Sequence, residues 1–355
     1  MLVSALQLQG FRNLEPTVFR PGARLNVLAG ENGHGKTNLL EAIYLVGTLR
    51  SFRTSHSADL IRFGEAQAEL RARVQQQGTE HLYELRLAGT RKQTRLDGKA
   101  PRSALEYFGG LHVVLFAPED LQLPRWSPAG RQRLLDRAVF NSEPGFLADA
   151  QRYARVLKSR NTLLRAGEPD PQLLDAYDAQ LLEVGERVIS ARRRFLDVLQ
   201  DRFAMAYCRI TGTDQTATVA YAGLEPNFAA AFHDARRVDQ VRKATTVGPH
   251  HDDLDILLEG RPARSFASQG QLRVLILAWK IAEIELLCDI HGEPPVLLLD
   301  DVSSELDRQR STQLFAFLAT ARCQCFVSTT DARDIPASEN RQDFHVVKGQ
   351  VEAAC

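Results

Sequence analysis

Two stretches of this 355-residue chain carry residue types that handle phosphates. The first is GENGHGKT, Gly30 to Thr37. It fits the pattern G-x-x-x-x-G-K-[ST], in which a glycine-rich turn lets successive backbone N–H groups curl around phosphate oxygens. Gly30, Glu31, Asn32, Gly33, His34 and Gly35 form that cradle. Lys36 is placed to reach the β- and γ-phosphates of ATP, and the Thr37 hydroxyl to ligate Mg²⁺. The second stretch is VLLLDD, Val296 to Asp301. A buried-type apolar run delivers Asp300, which suits Mg²⁺ held through water. Asp301 follows, placed to orient an attacking water as general base. ATP and Mg²⁺ are the expected ligands, and Asp301 with Lys36 the expected catalytic residues.

A third stretch raises a question. Ser268-Gln269-Gly270-Gln271 opens an apolar-striped helix with small polar residues, the kind of end that binds an anion. The chain's own nucleotide already has a loop about 230 residues upstream. Ser268, Gly270 and Gln271 are candidate phosphate contacts at this second helix end.

These motifs need elements to hold them. RLNVLAG reads as a strand feeding the Gly-rich turn, and TNLLEAIYLVGTL as the helix after it. Residues 67–99 hold short alternating stretches, with a hairpin signal at Asp97-Gly98. LHVVLFAPED is a strand stopped by Pro118. From Pro128 to about Ile210 the pattern turns helical, with helices expected over 128–140, 145–166 and 171–209. At ~1.5 Å per residue the longest reaches ~55–60 Å, an arm rather than a long coiled coil. Mixed α/β texture returns after TTVGPHHDDLDILLEG, with a strand at CQCFVSTT and a hairpin around Lys348-Gly349. One α/β domain built from 1–124 and 246–355, with a helical arm over 125–245, is the simplest organisation.

Composition is that of a soluble globular protein, 44% hydrophobic and 25% charged. No apolar run reaches the ~20 residues a membrane helix needs, and MLVSALQLQGFRN has no signal-peptide pattern. Five cysteines without CxxC pairing suit buried thiols in the reducing cytoplasm. Net charge is zero, but it is segregated. Residues 125–245 carry 19 Lys and Arg against 15 Asp and Glu, and the remainder 25 against 29. A further basic cluster holds Arg91, Lys92, Arg95, Lys99 and Arg102 against Asp97 alone. Such segregation permits an anionic partner, with Arg91, Lys92, Arg95 and Lys99 as its candidate contacts. In PHHDD, His250 and His251 are adjacent and so face apart, which favours a structural or nucleotide-proximal role over a metal site.

The succession of P-loop, SQGQLR, acidic strand and SSELD (303–307) resembles the head domain of the ABC ATPase class. GFRNL (10–14), LRSFRT (49–54), FAPEDLQL (116–123), SPAGRQRLLD (127–136), GPHHDDL (248–254), SQGQLR and LLLDDVSSELD together resemble the RecF family of bacterial recombination mediators. The resemblance spans residue 10 to about 330. It implies an α/β fold: an ABC-type P-loop ATPase head with a mixed sheet, flanking helices and an antiparallel β subdomain, carrying an inserted helical arm. It also implies a cytoplasmic DNA-repair ATPase without membrane contact. Such proteins form a homodimer on ATP and bind double-stranded and single-stranded or gapped DNA. Their weak, DNA-stimulated hydrolysis serves as a release switch, and they help RecO and RecR load the strand-exchange recombinase, supporting replication forks and SOS induction.

Residue by residue, the resemblance places Lys36 and Thr37 in the ATP loop, Asp300 as the Mg²⁺ acid, Ser268, Gly270 and Gln271 in the signature, and Asp307 in the D-loop. Three positions depart from the ABC pattern. Asp301 stands where many heads have Glu, one methylene longer. Thr329 or Thr330 stands where transporters have His. Pro118-Glu119-Asp120 replaces the usual Gln loop and receives no assignment. A transporter ATPase subunit is the alternative reading, and a scaffold that binds ATP without hydrolysing it a third.

Overall fold

The computed structural model describes residues 1–118, 120, 127–167, 169–223, 227–301, 313–318, 322–335 and 340–354. It divides into two compact units, Met1–Leu121 with Trp279–Cys355, and Gln122–Ala278.

In the first unit, β1 (Leu2–Gln9), β2 (Thr17–Phe19), β4 (Ala68–Gln76), β5 (Thr79–Ala88) and β6 (Arg91–Leu96) form an antiparallel sheet in the order β2-β1-β4-β5-β6. Strict alternation in AELRARVQQ puts Ala68, Leu70, Ala72 and Val74 inside and the charges out. Asp97 and Gly98 both take positive φ (51° and 76°), the two-residue turn that the Asp-Gly pair favours.

The second sheet of this unit holds the P-loop. It contains β3 (Leu25–Ala29), β7 (Val113–Phe116), β11 (Val296–Leu299), β12 (Cys325–Thr329), β13 (Arg341–Val347) and β14 (Gln350–Ala353). The order is β14-β13-β3-β12-β11-β7, parallel except for the β13–β14 hairpin that turns at Lys348-Gly349. All residues of β3, β7, β11 and β12 are buried, which is why these segments read as continuous apolar runs. Strand β12 lies between β3 and β11, so the carboxyl ends of all three open together, where open α/β sheets bind ligands. Helix α1 (Lys36–Thr48) follows β3 and is buried along most of its length. A short α2 (Ala104–Phe108) precedes β7.

The second unit carries the three expected helices as α3 (Pro128–Ser142), α4 (Phe146–Arg165) and α5 (Pro171–Thr211). Pro opens α3 and α5, Asp170 caps α5 at its start, and Gly212 ends it in the left-handed conformation. Strand β8 (Ala217–Ala222) and helices α6 (Phe228–Asp234) and α7 (Arg236–Arg242) follow. Then come β9 (Asp253–Leu258), β10 (Arg261–Pro262), α8 (Ala263–Phe266) and α9 (Gln269–His291). Sequence texture puts a boundary near 245, whereas the structure puts it inside α9. The reason is pairing: β8 runs antiparallel to β9 over its full length, which ties residues after 245 to the helices before them.

Two of the quoted motifs meet in this unit. Arg131 of SPAGRQRLLD holds the Asp253 carboxylate, and Gln132 donates to the Pro249 and Asp252 carbonyls. Arg192 of α5 grips Asp136 and the Pro249 carbonyl. His250 and His251 do not face apart. Gly248 lets the chain turn, and both rings reach the Thr245 carbonyl at 3.2 Å, their centroids 4.2 Å apart. Among the described residues no His, Cys, Asp and Glu cluster is built to hold a metal ion. No disulfide links the described cysteines, and Cys323 and Cys325 are buried.

Candidate functional site

The P-loop runs from the end of β3 into α1, and its glycines answer to different demands. At Gly30 a Cβ would sit 2.2 Å from the Val346 carbonyl oxygen on β13, so no side chain fits. Gly33 has open space around it but takes φ +80°, a conformation that costs other residues strain. Glu31, Asn32 and Gly33 are exposed at the tip, and the His34 Nε2 stands 3.5 Å from Glu31. The first N–H groups of α1 have no partner within the helix and are available to an anion.

Lys36 is buried and folds back across the loop, donating to the carbonyls of Gly30 (2.6 Å) and Glu31 (2.9 Å). Burial pushes its ammonium below the ordinary lysine range, and the charges of Asp301 and Asp300 oppose that shift. The Thr37 hydroxyl donates to Asp300 Oδ1 at 2.8 Å. The same carboxylate oxygen accepts from the Ser328 hydroxyl at 2.7 Å, and Ser328 Oγ accepts from the Asp301 N–H at 2.9 Å. Asp301 takes φ +47°, left-handed for a non-glycine residue, and this hydrogen bond fixes it there. Thr37, Asp300, Asp301 and Ser328 therefore form one connected group at the carboxyl ends of neighbouring strands.

Ser328 is legible only in retrospect. VSTT offers three hydroxyls, and strand alternation alone does not say which one meets the acids. Thr329 is fully buried, with its hydroxyl donating to the Asp331 carbonyl at 3.1 Å. Asp307 lies outside the described residues, as does Glu119. Asp120 is buried, accepts from the Ala117 N–H and stands 3.8 Å from the Lys280 ammonium.

Two other motifs brace the loop. Asn13 of GFRNL donates to the Gly33 carbonyl at 2.8 Å and accepts from Asn38 at 2.7 Å. Arg53 of LRSFRT donates to Asn38 at 2.6 Å. Arg12 makes a two-pronged bond to the buried Glu41, both arms at 2.8 Å, and the Ser51 hydroxyl donates to the same carboxylate. The sequence signal for Glu41 was a carboxylate inside an otherwise apolar helix.

Ser268, Gly270 and Gln271 belong to the other unit. Ser268 and Gln271 form a reciprocal capping pair. The Gln271 N–H donates to Ser268 Oγ (3.2 Å) and the Ser268 N–H to Gln271 Oε1 (2.9 Å). Phe266, just before them, is 65% exposed with the Arg261 guanidinium over its ring, so the approach to this helix end is open.

The pleat splits the candidate DNA cluster. Arg91 and Arg95 lie on the face of β6 shared with Arg86 and Glu84, opposite Ala88 and Glu84 in register. Lys92 lies on the other face, and its ammonium donates to the Leu49 carbonyl at the end of α1 (2.7 Å). Lys99 follows the Asp97-Gly98 turn and is exposed.

Comparison with known proteins places this geometry. The family model for the RecF/RecN/SMC N terminal domain matches residues 2–351. The DNA replication and repair protein RecF of Myxococcus xanthus is 42% identical, covering 93% of this chain and 91% of that protein. RecF of Geobacter sulfurreducens is 39% identical over 99% of each chain. A solved structure of the recombination mediator protein RecF-ATP in the RecFOR pathway superposes with TM-score 0.88 at 28% identity, covering 100% of this chain and 98% of that one. An Smc head bound to the C-winged helix domain of ScpA shares the fold, with TM-score 0.61 at 15% identity, covering 100% and 97%. The ABC-type head fold is thus shared, and the transporter alternative is not favoured. Among the described residues no helix is long and apolar enough to cross a membrane. The chain belongs to the RecF family of DNA replication and repair proteins.

Proposed function

We propose that this chain is an ATP-gated DNA clamp of recombinational repair whose hydrolysis of ATP releases it from DNA. The observation that carries the reading is the connected group of Thr37, Asp300, Ser328 and Asp301 beside Lys36. The P-loop amides and Lys36 would hold the β- and γ-phosphates. The Thr37 hydroxyl and the Asp300 carboxylate, 2.8 Å apart, are hard oxygen donors that fit Mg²⁺. When bound, that ion would supply neutralisation of phosphate charge.

Asp301 would accept the proton of the water that attacks the γ-phosphate. Its backbone is held by Ser328, so its carboxylate has a fixed base from which to reach. An Asp reaches less far than a Glu, which suits slow turnover and a switch rather than a motor.

The homodimer would be two-fold, each ATP held by Lys36, Thr37 and Asp300 of one copy and by Ser268, Gly270 and Gln271 of the other. Asp307 would sit at the same junction. The γ-phosphate then touches both copies, so its loss weakens the pair. DNA would lie across basic surface including Arg91, Arg95 and Lys99, gripped by its phosphates with little regard to base sequence. The unit that contains the P-loop would be the ATPase head and the unit that contains α3, α4 and α5 the arm, in a cytoplasmic protein. Junctions and gaps are the proposed DNA forms, RecO and RecR the partners, and recombinase loading with SOS support the outcome. The named RecFOR pathway of the solved relative supports this.

The test is ATP-dependent binding to gapped, double-stranded and single-stranded DNA over a salt titration. Wild type should bind with ATP and lose affinity steeply with salt, while Lys36→Met should lose the ATP dependence. Equal binding by both proteins with and without ATP sinks the reading.

A further inference from the structure

Helix α4 carries five cations and one carboxylate, and α7 with its capping Lys243 carries four cations and one carboxylate. The two carboxylates are already engaged. Asp149 pairs with Arg187 on α5, and the buried Asp239 pairs with Arg160 and accepts from Thr246. Three acids of the neighbouring helix α5 are engaged as well: Asp178 with Arg160 and Arg236, Asp175 with Arg236, and Glu183 with Arg152 and Arg187. Six cations remain without an ion pair among the described residues: Arg155, Lys158, Arg165, Arg237, Arg242 and Lys243. All six are exposed.

Five of the six lie together. Spacings of three and seven put Arg155, Lys158 and Arg165 on one ridge of α4, while Arg160 points to the opposite side and is buried. Asn161 lies beside that ridge, between Lys158 and Arg165. Its Oδ1 accepts from the Thr245 N–H (2.8 Å) and hydroxyl (2.7 Å). Thr245 follows Lys243 by two residues, so this contact brings Arg242 and Lys243 alongside the α4 ridge. Helix C-termini favour cations, which accounts for Arg165, Arg242 and Lys243 taken singly. It does not account for Arg155, Lys158 or Arg237.

We infer that this face of the arm is a second phosphate-binding surface, and that its ligand is the backbone of duplex DNA. The inference rests on the DNA-binding reading above and adds a place. Ten residues of α4 rise ~15 Å, enough to track about four phosphates along one strand. Guanidinium and ammonium groups with no ion pair among the described residues match that ligand without base-specific contacts.

The test measures binding of a labelled duplex to the full-length protein with ATP, across a salt series. Two proteins are compared with wild type: Lys158→Gln with Arg165→Gln, and those two with Arg242→Gln and Lys243→Gln. The substitutions are neutral and exposed, and ATP affinity provides the folding control. Each lost phosphate contact lowers the salt slope by about 0.9. The double variant should lose about 2 from the slope and the quadruple about 3 to 4, with at least a tenfold weaker complex. A variant that keeps the wild-type slope and affinity overturns the arm site while leaving the DNA reading intact. A wild type that binds no duplex overturns both.

Discussion

Thr37 and Asp300 stand 263 positions apart in the chain and share a 2.8 Å hydrogen bond. One residue opens the helix after β3, the other ends β11, and β12 between them contributes Ser328 to the same carboxylate oxygen. The parallel register of three neighbouring strands therefore assembles the group from distant parts of the chain, an arrangement of the kind that catalysis by charge stabilisation requires.

Thr37→Val removes the hydroxyl while conserving shape. Asp300 keeps Ser328 as a donor, so the fold is expected to hold. ATP affinity in the presence of Mg²⁺ should fall about tenfold or more, roughly 1.4 kcal/mol. Without Mg²⁺ the variant and wild type should bind within a factor of about two. Calorimetric titration with and without the ion checks both arms, and an equal loss in both would remove Thr37 from ion binding.

Asp301→Asn and Ser328→Ala separate the base from its support. The first should slow phosphate release by about a hundredfold or more, with ATP binding retained and a longer-lived DNA complex. The second frees the Asp301 N–H and should slow release by roughly tenfold, about 1.4 kcal/mol. Single-turnover phosphate release gives both rates. Unchanged turnover in Asp301→Asn removes it as the base.

His250 governs an acid-sensitive step in stability. Burial and its neighbour His251 hold its pKa down at about 4 against an ordinary 6.5, with Thr245 opposing the shift. Below 6.5 the unfolded chain takes up a proton that the folded chain refuses until about pH 4. This contribution is therefore complete above pH 6.5 and lost as pH falls through the window to 4. The loss should be roughly 1–3 kcal/mol, given that the ring is incompletely buried. His250→Gln cannot take up that proton, so urea midpoints from pH 7 to 4.5 should fall less in the variant. Parallel curves would contradict the assignment.

The sequence made the periodic elements legible. The arm helices expected at 128–140, 145–166 and 171–209 occur at Pro128–Ser142, Phe146–Arg165 and Pro171–Thr211 because their amphipathic stripes and terminal Pro and Gly residues act locally. Contacts made across long sequence separations were not legible. Ser328 meets Asp300, Asn13 meets Gly33 and Arg12 meets Glu41 through tertiary pairing that no local pattern encodes. Lys92 reads as one more basic residue until the strand pleat turns it toward the end of α1. The histidine pair misled for a similar reason: a turn through Gly248 overrides the alternation that a strand would impose.

Sedimentation velocity with and without ATP, on wild type and on Ser268→Arg, tests the central claim most directly. Ser268 caps α9 with Gln271, and in the proposed dimer it meets only the partner copy's nucleotide, so each copy should bind nucleotide without help from this position. The account predicts that ATP converts wild type from monomer to dimer, and that Ser268→Arg binds ATP within about twofold of wild type yet stays monomeric. An ATP-induced dimer in Ser268→Arg, or loss of ATP binding by its monomer, would contradict it.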